Sequence, residues 1–153
     1  MQKKKSPMNP VQNFLLNFLL VISIMWVLFG FVVGFINAPN GDMSPNIKAN
    51  DLLLYYRLEH DYHAQDIVVV MKNDTAYIGR IVAVCGDTVE ISDSEKLMIN
   101  GNFVSEPEIQ HPTPRFEGFV NYPVQLAEQE YFILADSRNG AEDSRYYGVV
   151  HLQ

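Results

Sequence analysis

The stretch Tyr77-Ile78-Gly79-Arg80-Ile81-Val82-Ala83-Val84-Cys85-Gly86-Asp87-Thr88-Val89-Glu90-Ile91 decides how this chain folds. It consists of two runs rich in Val, Ile and Tyr, and the pair Gly86-Asp87 separates them. Apolar, β-branched runs bounded by turn residues are typical of strands. We therefore predict one strand over residues 75–84, a turn at Gly86-Asp87 and a second strand over residues 88–91.

Similar runs lie on both sides of this stretch. The dipeptide Asn100-Gly101, between the runs 97–99 and 103–104, is a strong hairpin signal, and Asn73-Asp74 predicts another tight turn. Residues 105–118 contain three prolines and end in a glycine, which predicts an irregular loop. Further strands are predicted over residues 51–58, 66–72, 131–135 and 147–150. The predicted fold class is therefore mostly β: an antiparallel coiled β domain with one N-terminal transmembrane helix.

The predicted helix is an apolar run of 23 residues, Phe14 to Ile36. At about 1.5 Å per residue it covers about 35 Å, enough to cross a hydrocarbon core of about 30 Å. A cleaved secretory leader is the rival interpretation, but the apolar region of such a leader spans only about 7–15 residues. We therefore predict a cytoplasmic basic tail over residues 1–13, a transmembrane helix over 14–36 and an extracytoplasmic domain over 37–153.

Residues around and within the run predict its orientation and a contact. Lys3, Lys4 and Lys5 precede it, which favours a cytoplasmic N-terminus in the cell membrane and an extracellular C-terminal domain. Gly30 and Gly34 form a GxxxG pattern, which allows two membrane helices to approach closely. A homodimer through these glycines is therefore a further candidate.

Composition excludes several function classes. The net charge is −7, and from Asn37 onward eight basic residues face eighteen acidic ones. Since phosphates repel an acidic domain, we expect no nucleic-acid partner. The single cysteine, Cys85, cannot form an intrachain disulfide and is expected to be a small buried hydrophobe. The four histidines show no metal-ligand spacing, so we expect no metal and no cofactor.

Three segments together resemble the three signature boxes of the type I signal peptidases. They are Gly41-Asp42-Met43-Ser44-Pro45, the stretch 77–91 quoted above, and residues 135–150, which read Ala-Asp-Ser-Arg-Asn-Gly-Ala-Glu-Asp-Ser-Arg-Tyr-Tyr-Gly-Val-Val. The resemblance extends from the anchor to Val150. Members of this family are membrane-anchored serine proteases with a serine nucleophile and a lysine general base. The resemblance thus implies a catalytic type of β domain close to a membrane.

The chain departs from the family pattern at the positions that carry the chemistry. Asp42 stands where the family has its serine, and Gly79 stands where it has its lysine. Ala141 replaces the serine whose hydroxyl orients that lysine. A serine attacks a peptide carbonyl once a base takes its proton, and both groups are missing at these positions. The resemblance therefore implies a degenerate catalytic site.

Other residues of the boxes are retained. By resemblance, Arg80, Asp143 and Arg145 are structural ion-pair residues, with Asp143 paired to Arg145 or to Arg80. The segment from Asn40 to Pro45, together with Gly79, implies a groove that holds an extended peptide by strand addition. Its residues are Asn40, Gly41, Asp42, Met43, Ser44 and Pro45. Asn40 takes the place of the family group that helps to bind the oxyanion, and its amide is still a hydrogen-bond donor.

Two relocated catalytic sites are alternatives to a degenerate one. In the first, Ser44 acts as the nucleophile and Lys72 as the base. In an extended chain, side chains two apart are separated by about 6–7 Å, a misplacement that catalysis tolerates poorly. Ser44 is therefore expected to fill a variable position of the box, and Lys72 to be a solvated charge at a strand end. In the second, Asp42 and Asp143 share a proton as an aspartate dyad.

The pattern of losses resembles that of the non-catalytic signal-peptidase-like proteins of Gram-positive, especially streptococcal, pilus assembly. That resemblance implies a catalytically inactive membrane protein that acts as a pilin chaperone or as a partner of the sortase. Its partners would be pilin subunits, the sortase or both. The alternative is an active type I signal peptidase, a serine endopeptidase that removes leader peptides with relocated catalytic residues.

Overall fold

The computed structural model describes residues 9–72, 75–109, 111–116 and 118–152. Its internal contacts divide the chain into two units. The first contains Met1–Phe35 and Leu54–Leu58, and the second contains Ile36–Leu53 and Glu59–Gln153. The turn predicted at residues 73–74 and most of the predicted basic tail lie outside the described residues.

The first unit is built on an apolar helix. Helix α1, Pro10–Val27, continues into a π-helical turn, Leu28–Val32. Asn9 caps its start: the N–H of Val11 donates to Asn9 Oδ1, and the N–H of Asn9 donates to Gln12 Oε1, each at 3.2 Å. No residue of the span Pro10–Val32 is buried within the chain, and the span is long and apolar enough to cross a membrane. This span begins and ends four residues earlier than the predicted one.

The residues that follow the helix form a strand, which corrects the predicted boundary at Ile36. Strand β1, Val33–Asn37, pairs with β2, Leu52–Tyr56, in a two-stranded sheet. A continuous apolar run has no periodicity that distinguishes a helix from a strand, so the sequence could not locate this change.

The early end of the helix also removes the basis for the predicted helix dimer. Gly30 lies in the π-helical turn, whereas Gly34 lies in β1 with its Cα against the ring of Tyr55. The two glycines therefore share no helical face. At the helix end, Arg57 Nη1 donates a hydrogen bond to the carbonyl oxygen of Gly30 at 3.1 Å.

The second unit contains two four-stranded antiparallel sheets. The first is formed by Ile67–Lys72 (β3), Thr75–Ala83 (β4), Glu130–Leu134 (β9) and Val150–His151 (β10), in the order β10-β9-β4-β3. The second is formed by Thr88–Ile91 (β5), Leu97–Ile99 (β6), Asn102–Phe103 (β7) and Val124–Gln125 (β8), in the order β7-β6-β5-β8. The predicted mostly β, antiparallel fold class is confirmed.

The core lies on both faces of the central strands β4 and β9. Phe132 and Leu134 of β9 pack with Val82 of β4 and with side chains of the second sheet, among them Val89 and Leu97. Ile133, on the other face of β9, packs with β3 and β10 side chains. Because these strands are buried on both faces, they fix the positions of the loops at their ends, where the three boxes meet.

Local turn chemistry explains the strand ends. Asn100 and Gly101 have φ values of 53° and 77°, the combination that a two-residue hairpin requires, which confirms the predicted hairpin. The strand predicted over 147–150 is wrong except at its last residue, because Ser144–Tyr147 forms a short helix, α2, and strand β10 begins only at Val150. Asp143 caps its start, and Gly148, at φ 79°, ends it. Cys85 is exposed in the turn after β4, not buried as predicted.

Candidate active site

The first box forms a turn in which Asn40 and Asp42 bind each other. The side-chain amide of Asn40 donates to Asp42 Oδ2 at 2.7 Å, and the backbone N–H of Asp42 donates to Asn40 Oδ1 at 3.1 Å. The carbonyl of Asp42 accepts the N–H of Ser137 at 2.7 Å, which ties the first box to the third. The Asn40 amide, which was expected to help bind an oxyanion, therefore already uses one of its N–H groups within the box.

The environment of Asp42 disfavours its ionised form. Partial burial raises the pKa of its carboxyl group, and the charges of Asp143 and Glu142 raise it further, while the hydrogen bond from Asn40 lowers it. Glu142 was not anticipated as a neighbour from the sequence, although it lies between two residues of the third box. Asp42, at the position of the family nucleophile, thus lies near two other carboxyl groups, those of Asp143 and Glu142.

A side chain of the neighbouring strand β9 occupies the space that the family's base would need. Gly79 is buried in β4 opposite Val68 of β3. A Cβ atom on Gly79 would lie 2.5 Å from Ile133 Cγ2 and 3.3 Å from the carbonyl oxygen of Leu134. Carbon atoms pack at about 3.5–4.0 Å, so a side chain at position 79 requires Ile133 or the backbone to move. The loss of the base is therefore also a change in packing.

The third box is held by a saturated carboxylate, Asp143. Its oxygens accept hydrogen bonds from the N–H groups of Ala135 and Arg145 and from Nε and Nη2 of the Arg145 guanidinium. Asp143 is 2% exposed and Arg145 is fully buried. Each of its two oxygens accepts two hydrogen bonds, so neither oxygen is left to share a proton with Asp42. The geometry therefore argues against the dyad of Asp42 and Asp143.

Of the two ion-pair arrangements considered for Asp143, the structure contains the pair with Arg145. Arg80 pairs instead with Asp136, through Nε at 2.9 Å and Nη2 at 2.7 Å. The other predicted positions of the boxes are buried nearby: Met43 packs with Ala38 and Ile78, and Ala141 is 3% exposed. Ala141 offers a methyl group where a hydroxyl would be needed to orient a base.

Ser44 lies in the turn of residues 42–46, not in the extended chain that its predicted spacing assumed. It borders a cavity of about 160 Å³ that is also lined by Pro45, Glu108, His111, Asp136 and Ser137. Gly41, the other glycine of the box, is only half-buried, and an added Cβ there would meet the Ser44 hydroxyl at 3.3 Å. Ser44 thus lines a polar cavity that lies beside the degenerate catalytic site.

Lys72 is not the solvated charge that was predicted. Its Nζ donates to the carbonyl oxygen of Tyr147 at 2.6 Å and lies 4.5 Å from the centre of the Tyr147 ring. Partial burial lowers the pKa of its ammonium group. A cation at the last carbonyl of α2 stabilises that helix end. Its described contacts are with Tyr147, whereas Ser44 borders the cavity with Glu108 and His111, so they do not form the proposed relocated pair.

Two tyrosines near the degenerate site were not identified from the sequence. The rings of Tyr77 and Tyr147 lie 5.2 Å apart, and the hydroxyl of Tyr77 donates to Glu142 Oε2 at 3.2 Å. Burial, followed by the charges of Asp143, Tyr77 and Asp42, raises the pKa of the Tyr147 phenol. The sequence shows that Tyr77 lies in a predicted strand and Tyr147 in the third box. The contact between their rings depends on α2, which was not predicted.

Comparison with known proteins gives a consistent assignment. Residues 11–153 match the sequence model of a family described as signal peptidase, peptidase S26. The chain is 31% identical over 123 residues to a probable signal peptidase I-2 of Synechocystis, covering 73% of this chain and 54% of that protein. It is 35% identical over 92 residues to signal peptidase I S of Bacillus subtilis, covering 56% of this chain and 50% of that protein. The chain thus spans about half the length of these two relatives.

A solved structure extends the comparison to the fold. The crystal structure of a signal peptidase I from Enterococcus faecalis superposes with a TM-score of 0.51 at 26% sequence identity. The superposition covers 60% of this chain and 91% of that structure.

Proposed function

The chain belongs to the signal peptidase family, peptidase S26, and we propose that it is a catalytically inactive member that serves pilus assembly at the cell membrane. In this role it binds an extended segment of a pilin, as a chaperone, or an extended segment of the sortase, as its partner. One observation carries the proposal. The positions of the nucleophile, the base and the base-orienting hydroxyl hold Asp42, Gly79 and Ala141, and neighbouring groups occupy the surrounding space.

Each part of this site opposes hydrolysis for its own reason. A carboxylate at position 42 that attacked an amide would form an anhydride while expelling an amine, which is uphill. No proton acceptor can stand at Gly79 without displacing Ile133. The Asn40 amide donates one of its N–H groups to the Asp42 carboxylate, and a carboxylate beside this donor would repel an oxyanion. Loss of one member of a catalytic unit typically removes several orders of magnitude of rate, and here three members are absent.

The strand pairing supports a role in peptide binding. β9 pairs with β4 from Arg80 to Ala83, whereas residues 75–79 of β4 pair only with β3 in the described part of the chain. The first box lies beside this segment, since Met43 packs against Ile78. A free edge next to a turn can accept an added strand through backbone hydrogen bonds. The protease framework therefore retains a means of holding a peptide after its chemistry is lost.

The location follows from the helix. The span Pro10–Val32 is suited to cross the membrane, and the lysines before it favour a cytoplasmic N-terminus. We infer that the β domain faces the outside, where pilins are assembled. The assignment to pilus assembly rests on the resemblance of this pattern of losses to that of the non-catalytic proteins of Gram-positive pilus systems.

Gene deletion with complementation tests the proposal in the organism that carries this chain. We expect deletion to abolish high-molecular-weight pilin polymers, and the wild-type chain to restore them. Ser44→Ala and Lys72→Met variants are expected to restore them equally, because neither residue performs chemistry. Polymers that persist in the deletion strain would contradict the role in pilus assembly. A Ser44→Ala variant that is normally expressed but loses both the polymers and a leader-peptide turnover seen in the wild type would contradict inactivity.

The second candidate is an active signal peptidase. The names of the matched relatives favour it, since both are called signal peptidases. It requires a serine and a base outside the family positions, and Ser44 and His111, which line the same cavity, offer such a combination. Turnover of a leader peptide that disappears in Ser44→Ala would establish this candidate.

A further inference from the structure

The two-stranded ribbon that follows the apolar helix has an apolar outer face. A Cβ atom on Gly34 of β1 would fall on the ring of Tyr55 of β2, so these two residues share the inner face. Because side chains alternate along a strand, Phe35, Leu54 and Tyr56 point to the other face, which we call the ribbon face. These three residues are 52%, 64% and 56% exposed. More than half of each is therefore left uncovered by the described part of the chain.

The ribbon face continues the uncovered surface of the helix without a linker. The π-helical turn ends at Val32, and β1 begins at Val33. The ring of Phe29, in that last turn, stacks on the ring of Phe35 with 5.8 Å between their centres. Phe29 belongs to the span that is suited to cross the membrane and is not buried within the chain. The apolar surroundings of the span therefore extend to the first residue of the ribbon face.

Two hydrogen bonds hold the end of β2 at the end of the helix. The backbone N–H of Arg57 donates to the carbonyl oxygen of Val32 at 2.9 Å, and its Nη1 donates to the carbonyl oxygen of Gly30 at 3.1 Å. Arg57 is the only charged residue of the described part of the first unit, residues 9–35 and 54–58. A single arginine among apolar and aromatic side chains is typical of a membrane–water interface, where tyrosine lies at the headgroups and arginine reaches the phosphates.

We propose that the ribbon face is a membrane-contact surface, and that its occupant is the boundary between headgroups and acyl chains of the bilayer that the helix crosses. The proposal rests on the membrane location proposed above. Because Arg57 fastens the end of β2 to the helix end, the bilayer is the apolar surface already present beside Tyr56. Removing this row of side chains from water is favourable in proportion to the apolar area buried. The ribbon thus adds an interfacial anchor to the transmembrane one.

Site-directed spin labelling of the full-length chain in phosphatidylcholine nanodiscs tests this contact. On a Cys85→Ser background, which removes the single native thiol, a nitroxide is attached to Leu54→Cys. The label is expected to collide often with oxygen, which partitions into acyl chains, and rarely with a water-soluble nickel chelate. The ratio of the two collision rates should correspond to a depth of about 5–10 Å, as for other interfacial apolar faces. Tyr56→Cys is the second labelled site, and circular dichroism verifies that each labelled chain is folded.

The matched control is Phe103→Cys, since Phe103 is a strand residue of the second unit that is 62% exposed, and its label should be reached by the nickel chelate. Leu20→Cys reports whether the helix itself lies in lipid. Labels at 54 and 56 whose collision ratio equals that at 103 would overturn the proposal.

Two other results would also overturn it. Labels at 54 and 56 that neither reagent reaches would show that a protein partner or a second copy covers the ribbon face. A label at 20 that lies in water would refute the membrane location as well, whereas a label at 20 in lipid with labels at 54 and 56 in water would refute the ribbon face alone. The role in pilus assembly is decided separately, by pilin polymerisation.

Discussion

Ile133 stands in the space that a side chain at position 79 would need. Its Cγ2 lies 2.5 Å from the ideal Cβ position on Gly79, and both residues are buried in the same sheet. Cγ2 belongs to a β-branched side chain with a restricted χ1, so it cannot swing away as a flexible end could. The missing base and the packing of β4 on β9 are therefore linked.

Gly79→Ala is expected to lower the free energy of unfolding by about 1–3 kcal/mol, as overpacking of a dense core usually does. Chemical denaturation followed by circular dichroism measures it. On an Ile133→Ala background the same substitution should cost less, by about 1 kcal/mol or more, because the two residues share one space. Gly41→Ala is the control, since its Cβ meets only the Ser44 hydroxyl. Equal costs on both backgrounds would show that Ile133 does not fill the site.

Burial predicts unequal costs for two ion pairs. Glu106→Gln should destabilise the chain by about 2–3 kcal/mol, because the fully buried Arg138 loses its charged partner and keeps only neutral acceptors, among them Thr113 and the carbonyl of Ala135. Glu90→Gln removes a partner of Arg115 at 3.8 Å, where both side chains are more than one third exposed, and should change stability by less than about 1 kcal/mol. Urea denaturation compares the two variants, and similar costs would show that the buried pair contributes no more than the exposed one.

Asp42 predicts a pH dependence with a defined sign. Its pKa is raised in the folded chain, so the folded state favours the protonated carboxyl, and ionisation of Asp42 costs stability as the pH rises through that pKa. Asp42→Asn should therefore be more stable than the wild type at pH 7. The difference should shrink as the pH falls toward 3.8, the ordinary value. Denaturation of both chains between pH 4 and pH 7 checks this, and a constant or reversed difference contradicts it.

The single cysteine provides a probe of orientation. Cys85 is exposed in the second unit, so a membrane-impermeant maleimide should label it in intact cells if the domain lies outside. Cys85→Ser is the control for background labelling. Labelling that occurs only after lysis would place the domain in the cytoplasm and contradict the proposed location.

The sequence predicted the β framework well because strand and turn signals are local. Asn100-Gly101 specified its hairpin through two positive φ values, and the runs around residues 67–91 became strands within one or two residues of the predicted ends. Helix α2 was missed, since four residues are too few for a 3.6-residue pattern to register. Its signals were nevertheless present, as an N-cap Asp143 and a terminal Gly148.

The sequence predicted which residues form the candidate site, but not which groups surround them. The positions of Asp42, Gly79 and Ala141 follow from the resemblance of the boxes. By contrast, the approach of Ile133 to Gly79 depends on the register between two strands, and the pairing of Arg80 with Asp136 depends on a loop that the sequence left open. Contacts between distant segments carry no local signal, so only the folded chain reveals them.

Peptidase turnover tests the central claim most directly. The purified full-length chain, reconstituted in lipid, is incubated with a fluorogenic leader peptide beside signal peptidase I S of Bacillus subtilis as the positive control. We predict no cleavage above the rate in buffer, and no difference between the wild type and Ser44→Ala. Cleavage by the wild type that is lost in Ser44→Ala would contradict the account.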